Sequence, residues 1–180
     1  MTPDFPDEAV DGFPTPPREF TDAEGRDIVI ERTDSDGIPA LKEMYVDFDP
    51  EDRAQGVPPI KESAIAEWLE SVVAEDCLNV VAFHGDRAVG HAMLVPDTTG
   101  AFELAIFVLD EYQGALIGTE LVRSLLGWGQ SNGIERVWLT VERWNDPAVR
   151  LYEKVGFETT DSASFELEMA IRLAQTDNTG

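Results

Sequence analysis

One stretch limits what this chain can become. Phe102–Leu109 is an almost unbroken apolar run, Phe-Glu-Leu-Ala-Ile-Phe-Val-Leu. It leads through Asp-Glu-Tyr-Gln-Gly114 into Ala-Leu-Ile-Gly-Thr119, where a helical pattern begins. Any fold for this chain must therefore hold a strand, a tight loop and a helix in direct succession. The first turn of a helix carries backbone N–H groups without partners and a partial positive charge. Such a mouth is a natural seat for a pyrophosphate. Gly114 and Gly118 let backbone come near a ligand where a Cβ would obstruct it. The loop is neither a Walker A sequence, which ends in Gly-Lys-Ser/Thr, nor a Rossmann Gly-x-Gly-x-x-Gly. Taken alone it is equally compatible with plain helix-start packing.

The rest of the chain builds a sheet around that unit. Asp27–Arg32 reads as a strand, and Asp34 or Ser35 can cap a helix with Ile38, Leu41, Met44 and Tyr45 on one face. An acidic loop over 47–59 precedes a second helix carrying Ile65, Trp68, Leu69 and Val72. Leu78–His84 and Ala88–Val95 flank a Gly85-Asp86 turn and read as a hairpin. Ala101–Leu109 follows, and then a long helix over 115–131 that Asn132-Gly133 ends. Ile134–Val141 is a strand. Asn145 or Asp146 caps a helix with Pro147 in its first turn, and Gly156 stops it. Phe165–Ile171 is the last strand. The order βααβββαβαβ predicts one α/β domain: a single mixed, twisted sheet of six to seven strands flanked by about four helices. Residues 1–25 hold five of the 11 prolines and are expected as an extended or mobile acidic arm. The domain is expected over 26–173, with a tail over 174–180.

Composition narrows the function classes. Thirteen Lys+Arg against 36 Asp+Glu leave a formal charge of −23, which disfavours broad electrostatic binding to nucleic acid or anionic lipid. No apolar run approaches the roughly 20 residues that cross a bilayer. One cysteine, Cys77, and two histidines, His84 and His91, leave little for a metal centre, so none is expected. Only Lys42, Lys61 and Lys154 are lysines. Abundant carboxylate with scarce lysine is similar to cytosolic proteins of salt-accumulating halophiles, so a cytoplasmic, salt-adapted protein is expected. Self-repulsion of such a surface fades as salt shortens the Debye length to roughly 3 Å at 1 M.

A second segment makes the loop specific. Asn145, Ala148, Leu151, Tyr152, Gly156 and Phe157 are spaced as in the Asn-x-x-Ala-x-x-Leu-Tyr-x-x-x-Gly-Phe helix of the GNAT superfamily (GCN5-related N-acetyltransferases). Gln113 to Gly118 resembles that family's Gln/Arg-x-x-Gly-x-Gly/Ala loop. The resemblance covers about residues 27–172. It departs at Leu116, where the family has glycine or alanine; a leucine there is expected to crowd the pyrophosphate or tilt the loop.

The resemblance implies an acetyl-CoA-dependent N-acetyltransferase acting by direct attack in a ternary complex. Acetyl-CoA, the acyl donor, would lie between the splayed strands Ala101–Leu109 and Ile134–Val141. Its pantetheine arm would pair with backbone of Ile106, Phe107 and Val108. Amides of Gln113, Gly114, Ala115, Leu116, Ile117, Gly118 and Thr119 would hold the pyrophosphate, and Asn145 would contact the arm. A lysine-like amine of pKa about 10.4 must lose a proton before it attacks, at a cost of roughly 4.6 kcal/mol at pH 7. A general base is therefore useful, and Glu103 is the candidate, with His91 second. Val108 N–H is the candidate donor to the tetrahedral oxygen. Tyr152 would serve the leaving thiolate, chiefly as a hydrogen-bond donor. The acceptor is expected to be a protein lysine or a small cationic amine drawn by Asp47, Asp49, Glu51 and Asp52. A homodimer is allowed. The alternative is a non-catalytic module of the same fold that binds or senses acyl-CoA.

Overall fold

A computed structural model of the chain describes residues 5–48, 58–161 and 165–175. Nine strands and four α-helices follow one another along the described residues. The strands are β1 (Ala9–Val10), β2 (Arg18–Thr21), β3 (Asp27–Thr33), β4 (Leu78–His84), β5 (Arg87–Pro96), β6 (Phe102–Val108), β7 (Arg136–Glu142), β8 (Glu158–Asp161) and β9 (Glu166–Leu173). The helices are α1 (Ile38–Val46), α2 (Glu62–Val72), α3 (Ile117–Ser131) and α4 (Asp146–Val155). They build one mixed α/β sheet in the order β1-β9-β7-β6-β5-β4-β3-β2, with β8 also on β9. Nine strands exceed the expected six to seven because β1, β2 and β8 are two to four residues long. Such short runs carry too few residues for an alternating pattern to stand out.

The stretch 1–25, expected as an arm ahead of the domain, is part of it where it is described. β2 pairs antiparallel with β3, and β1 lies parallel to the C-terminal end of β9. Between them residues 13 and 14 cross α3 so closely that a Cβ on Gly127 would stand 1.8 Å from the Pro14 carbonyl oxygen. At the other end, Ala174 N–H donates to Val10 C=O at 2.9 Å and Gln175 Nε2 to Ile134 C=O at 3.1 Å. The first two residues of the expected tail are thereby tied down, and 176–180 lie outside the described residues.

Helices cover both faces of the sheet, and β5 shows which is where. His91 faces α1, bonded to Tyr45, while its neighbour Gly90 faces α3, where a Cβ would meet Leu121 at 2.7 Å. Successive strand residues point to opposite faces, so α1 and α2 lie on one side and α3 on the other. On the first side Tyr45, Phe48, Trp68 and Phe107 pack edge to face at 5.1–5.9 Å between ring centres. On the second, Ile117, Leu121 and Leu125 are fully buried, the face expected of that helix.

Candidate functional site

Among the described residues β6 and β7 are the parallel neighbours in the middle of the sheet, and they separate. Their pairing is confined to Phe102 with Val137 and Glu103 with Trp138. Beyond that point β6 stays on β5 and β7 stays on β9, so a V opens toward the C-terminal ends of the two strands. Leu109 N–H donates to Val89 C=O at 3.0 Å. The Val108 carbonyl belongs to the same trans peptide and therefore points the other way, into the V. Alternation gives Ile106 and Val108 the peptide groups that face the gap, and turns those of Phe107 toward β5. This corrects one expectation: Phe107 has no peptide group for a ligand in the V, and its ring belongs to the aromatic cluster.

At the open end lies a cleft of about 480 Å³. Ile106 and Val108 supply its strand wall, Gln113, Gly114, Leu116, Gly118 and Thr119 its loop wall, and Asn145 and Tyr152 its far wall. Gly118 matters for space: a Cβ there would stand 3.0 Å from Leu151 and 3.5 Å from Ile106. Ala115 and Ile117 are buried and do not line the cleft, so the donor contacts expected of them are not exposed in this structure.

Leu116 is the N-cap of α3 and has φ 76°, ψ 0°. It is the one non-glycine residue at positive φ among those described. A leucine in the left-handed region costs roughly 1–2 kcal/mol. The loop therefore takes the shape that glycine takes freely, and the leucine side chain stands half in solvent at the cleft. Leucine has no polar atom with which to cap, and no side chain caps α3. The N–H groups of its first turn are left to face the cleft.

Charge is distributed unevenly about this opening. Among the described residues none that lines the cleft is acidic, in a chain with 36 Asp+Glu. Arg150 and Lys154 both line it, and neither has an ion pair among the described residues. A 15-residue helix opening without a cap, beside two cations, fits an anion bearing several charges. Arg150, Lys154 and Tyr112 also line the cleft, and neither motif marks them as site residues. The signal for the basic pair was present: two cations at i and i+4 on one helix of a base-poor chain.

The remaining candidates divide. Asn145 does two things, accepting from Ala148 N–H at 3.4 Å to cap α4 and lining the cleft. Tyr152 is buried on α4 beside Phe157, and burial pushes its phenol well above the ordinary value. Glu103 does not line the cleft. Its alternation with Phe107 puts it on the α1–α2 side of β6. Partial burial, with the Asp97 charge nearby, raises its carboxyl above the usual range. His91 is enclosed: Tyr45 Oη lies 2.7 Å from Nδ1 and Asn79 Oδ1 lies 2.7 Å from Nε2. Burial lowers its pKa to about 3, so it is a structural residue with both nitrogens engaged. Of the acidic loop, Asp47 is described and lies 3.6 Å from Arg87; Asp49, Glu51 and Asp52 fall outside the described residues. Cys77 is away from the cleft, and burial, with Asp76 alongside, raises its thiol to about 11. Among the described residues no cluster of His, Cys, Asp and Glu could hold a metal, and no helix is long and apolar enough to cross a membrane.

Residues 38–157 match the model of the acetyltransferase (GNAT) family. An uncharacterized N-acetyltransferase of Mycobacterium tuberculosis is 34% identical over 89 residues, which are 49% of this chain and 57% of that protein. The match thus spans little more than half the length of that relative. Among solved structures, the GNAT domain of S. lividans PAT superposes with a TM-score of 0.75 at 14% identity, covering 87% of this chain and 97% of that one. The PaiA N-acetyltransferase of Thermoplasma acidophilum, solved with coenzyme A, gives a TM-score of 0.66 at 21% identity over 81% and 98%. At these identities the superpositions speak for the fold.

Proposed function

Since the chain belongs to the acetyltransferase (GNAT) family, we propose that it is an acetyl-CoA-dependent N-acetyltransferase that acylates a primary amine by direct attack. One observation carries the reading: the uncapped start of α3 opens on a cleft whose described lining holds no acid and is flanked by Arg150 and Lys154, at the mouth of two parting strands. The donor's phosphates would lie against the first turn of α3 and those two cations. Its arm would run down the V beside Ile106 and Val108, which brings the thioester near Tyr152. The Val108 N–H, turned into the gap, is the donor for the oxygen that gains charge when the amine adds.

Glu103 stands on the opposite face from Tyr152, where an amine entering from the α1–α2 side would meet it. Its raised pKa suits a base that must accept a proton. A Tyr152 phenol raised by burial is a poor proton source, which favours a hydrogen bond to the leaving sulfur over full transfer. The Cys77 thiol, away from the cleft and raised to about 11, offers no acyl-enzyme route. A protein lysine or a small cationic amine is the acceptor this anionic chain would attract. Salt adaptation and a cytoplasmic setting rest on charge composition alone.

Calorimetric titration with acetyl-CoA, followed by an amine panel, tests the proposal. Micromolar binding and amine-dependent release of CoA are expected, and Tyr152→Phe should lower kcat about tenfold or more while leaving acetyl-CoA affinity within about twofold. No binding of any CoA ester would refute the donor assignment. Binding without turnover on the whole panel would leave an acyl-CoA-binding module instead.

A further inference from the structure

The turn between β2 and β3, residues 22–26, lies upstream of the 38–157 family match, yet it touches the donor loop at three points. Ala23 N–H donates to the Ala115 carbonyl at 3.1 Å. Arg26 Nη1 donates to the Glu111 carbonyl at 3.1 Å. The Arg26 guanidinium also lies over the Tyr112 ring, 4.1 Å from its centre.

The turn is itself rigidly made. The Asp22 carboxylate, shut off from solvent, accepts from Glu24 N–H at 3.0 Å, Arg26 N–H at 2.9 Å and Arg26 Nε at 2.7 Å. Backbone bonds from Asp22 N–H to Arg26 C=O and from Gly25 N–H to Asp22 C=O close it. Burial alone would raise the Asp22 carboxyl, but the bonds from Arg26 and Glu24 outweigh that and hold it below the usual range.

The loop needs such support. Its own backbone bonds, Tyr112 N–H to Leu109 C=O and Gln113 N–H to Asp110 C=O, stop short of residues 114–116. Within 114–116, among the described residues, Leu116 C=O is held by the first bond of α3, from Glu120 N–H, and Ala115 C=O by the turn. Yet Leu116 sits where a leucine is strained, and a strained residue persists only where its surroundings over-determine it.

We propose that the β2–β3 turn is a clamp on the donor loop, in which Asp22 and Arg26 are positioning residues that hold 111–116, with Leu116 left-handed, in the shape that receives a pyrophosphate. Neither residue touches the donor. They act by fixing the loop before the ligand arrives, so that less order has to be imposed on binding. The inference rests on the proposed function, because it names what holds the same anion seat.

Two donors separate a clamp from general support: acetyl-CoA, and acetyl-pantetheine, which carries the thioester arm but no pyrophosphate. Arg26→Met is expected to weaken acetyl-CoA binding about tenfold in calorimetric titration, and Asp22→Asn by a similar factor. Both should leave acetyl-pantetheine within about twofold. Arg26→Lys, which keeps charge but loses the two-way hydrogen bonding, should recover only part of the loss and provides a milder variant if Arg26→Met folds poorly. Leu116→Gly removes the need for a clamp, since glycine adopts this φ freely. In that background the Arg26→Met penalty should shrink to about twofold or threefold. Equal losses for both donors, or an Arg26→Met penalty undiminished by Leu116→Gly, would overturn the clamp. Absence of acetyl-CoA binding by the unmutated chain would overturn the donor assignment itself, and the clamp with it.

Discussion

His91 shows how burial decides a residue's chemistry. Asn79 Oδ1 can only accept, so His91 Nε2 carries the proton; Nδ1 is then the acceptor for the Tyr45 hydroxyl. Asn79 Nδ2 donates onward to the Val72 carbonyl at 2.7 Å, which satisfies the C-terminal end of α2. A single directed chain thus ties α1, β5, β4 and α2 together. It holds only while the imidazole is neutral. With a native pKa near 3 against an ordinary 6.5, the unfolded chain takes up a proton that the native one refuses. Stability from this site is therefore complete above about pH 6.5 and is lost as pH falls toward about 3. Asp22 and Asp97 act in the same direction lower down. Burial would raise each, but hydrogen bonds outweigh it, so their contribution is present above the ordinary carboxylate pKa and vanishes below it. Urea midpoints measured between about pH 5 and 8 should drop on the acid side, and His91→Gln should flatten that drop. A midpoint independent of pH in the unmutated chain would contradict the buried neutral histidine.

Helix α4 carries opposite duties on its two sides. Tyr152 and Val155 face inward and are buried, while Arg150 and Lys154 remain exposed along the cleft. Pro147 and the Asn145 cap fix where the helix starts, and so which side each residue takes. Replacing both Arg150 and Lys154 by Gln should weaken acetyl-CoA binding about tenfold at low salt, with the deficit shrinking toward about threefold near 1 M KCl. Folding should be untouched, because both side chains are exposed and neither has an ion pair among the described residues. The same double change with no effect on affinity at any salt would mean that the phosphates lie elsewhere. Helix α3 divides differently. Its apolar stripe was legible in the order of Ile117, Leu121 and Leu125, but its functional end is backbone, and no side-chain pattern announces a free N–H.

Across the whole molecule, a formal charge of −23 is spread over one small sheet domain. Several cations already sit in pairs: Arg18 with Glu120, Arg26 with Asp22, Arg87 with Asp47 and Glu111, Arg172 with Glu135. Most acids therefore face other acids through solvent. Screening this self-repulsion should raise Tm by several degrees between about 0.05 and 1 M KCl, as read by calorimetry. A Tm that falls over this range would show that the ion pairs outweigh the repulsion.

Much was settled by order along the chain. The strand–loop–helix unit, the capped α4 with its glycine stop, the family and the loop that walls the cleft all follow from local pattern, because helix periodicity, caps and loop spacing are properties of neighbours in sequence. The family resemblance implies a donor site at Gln113, Gly114, Gly118, Asn145 and Tyr152, and all five line one cleft. Contact between distant segments was not legible. Burial of His91, the turning of Phe107 toward β5, the separation of Glu103 from the cleft and the bracing of the loop by the β2–β3 turn depend on strand register and on which face each helix covers. Those are set by packing summed over the whole sheet, and no single stretch of residues encodes them.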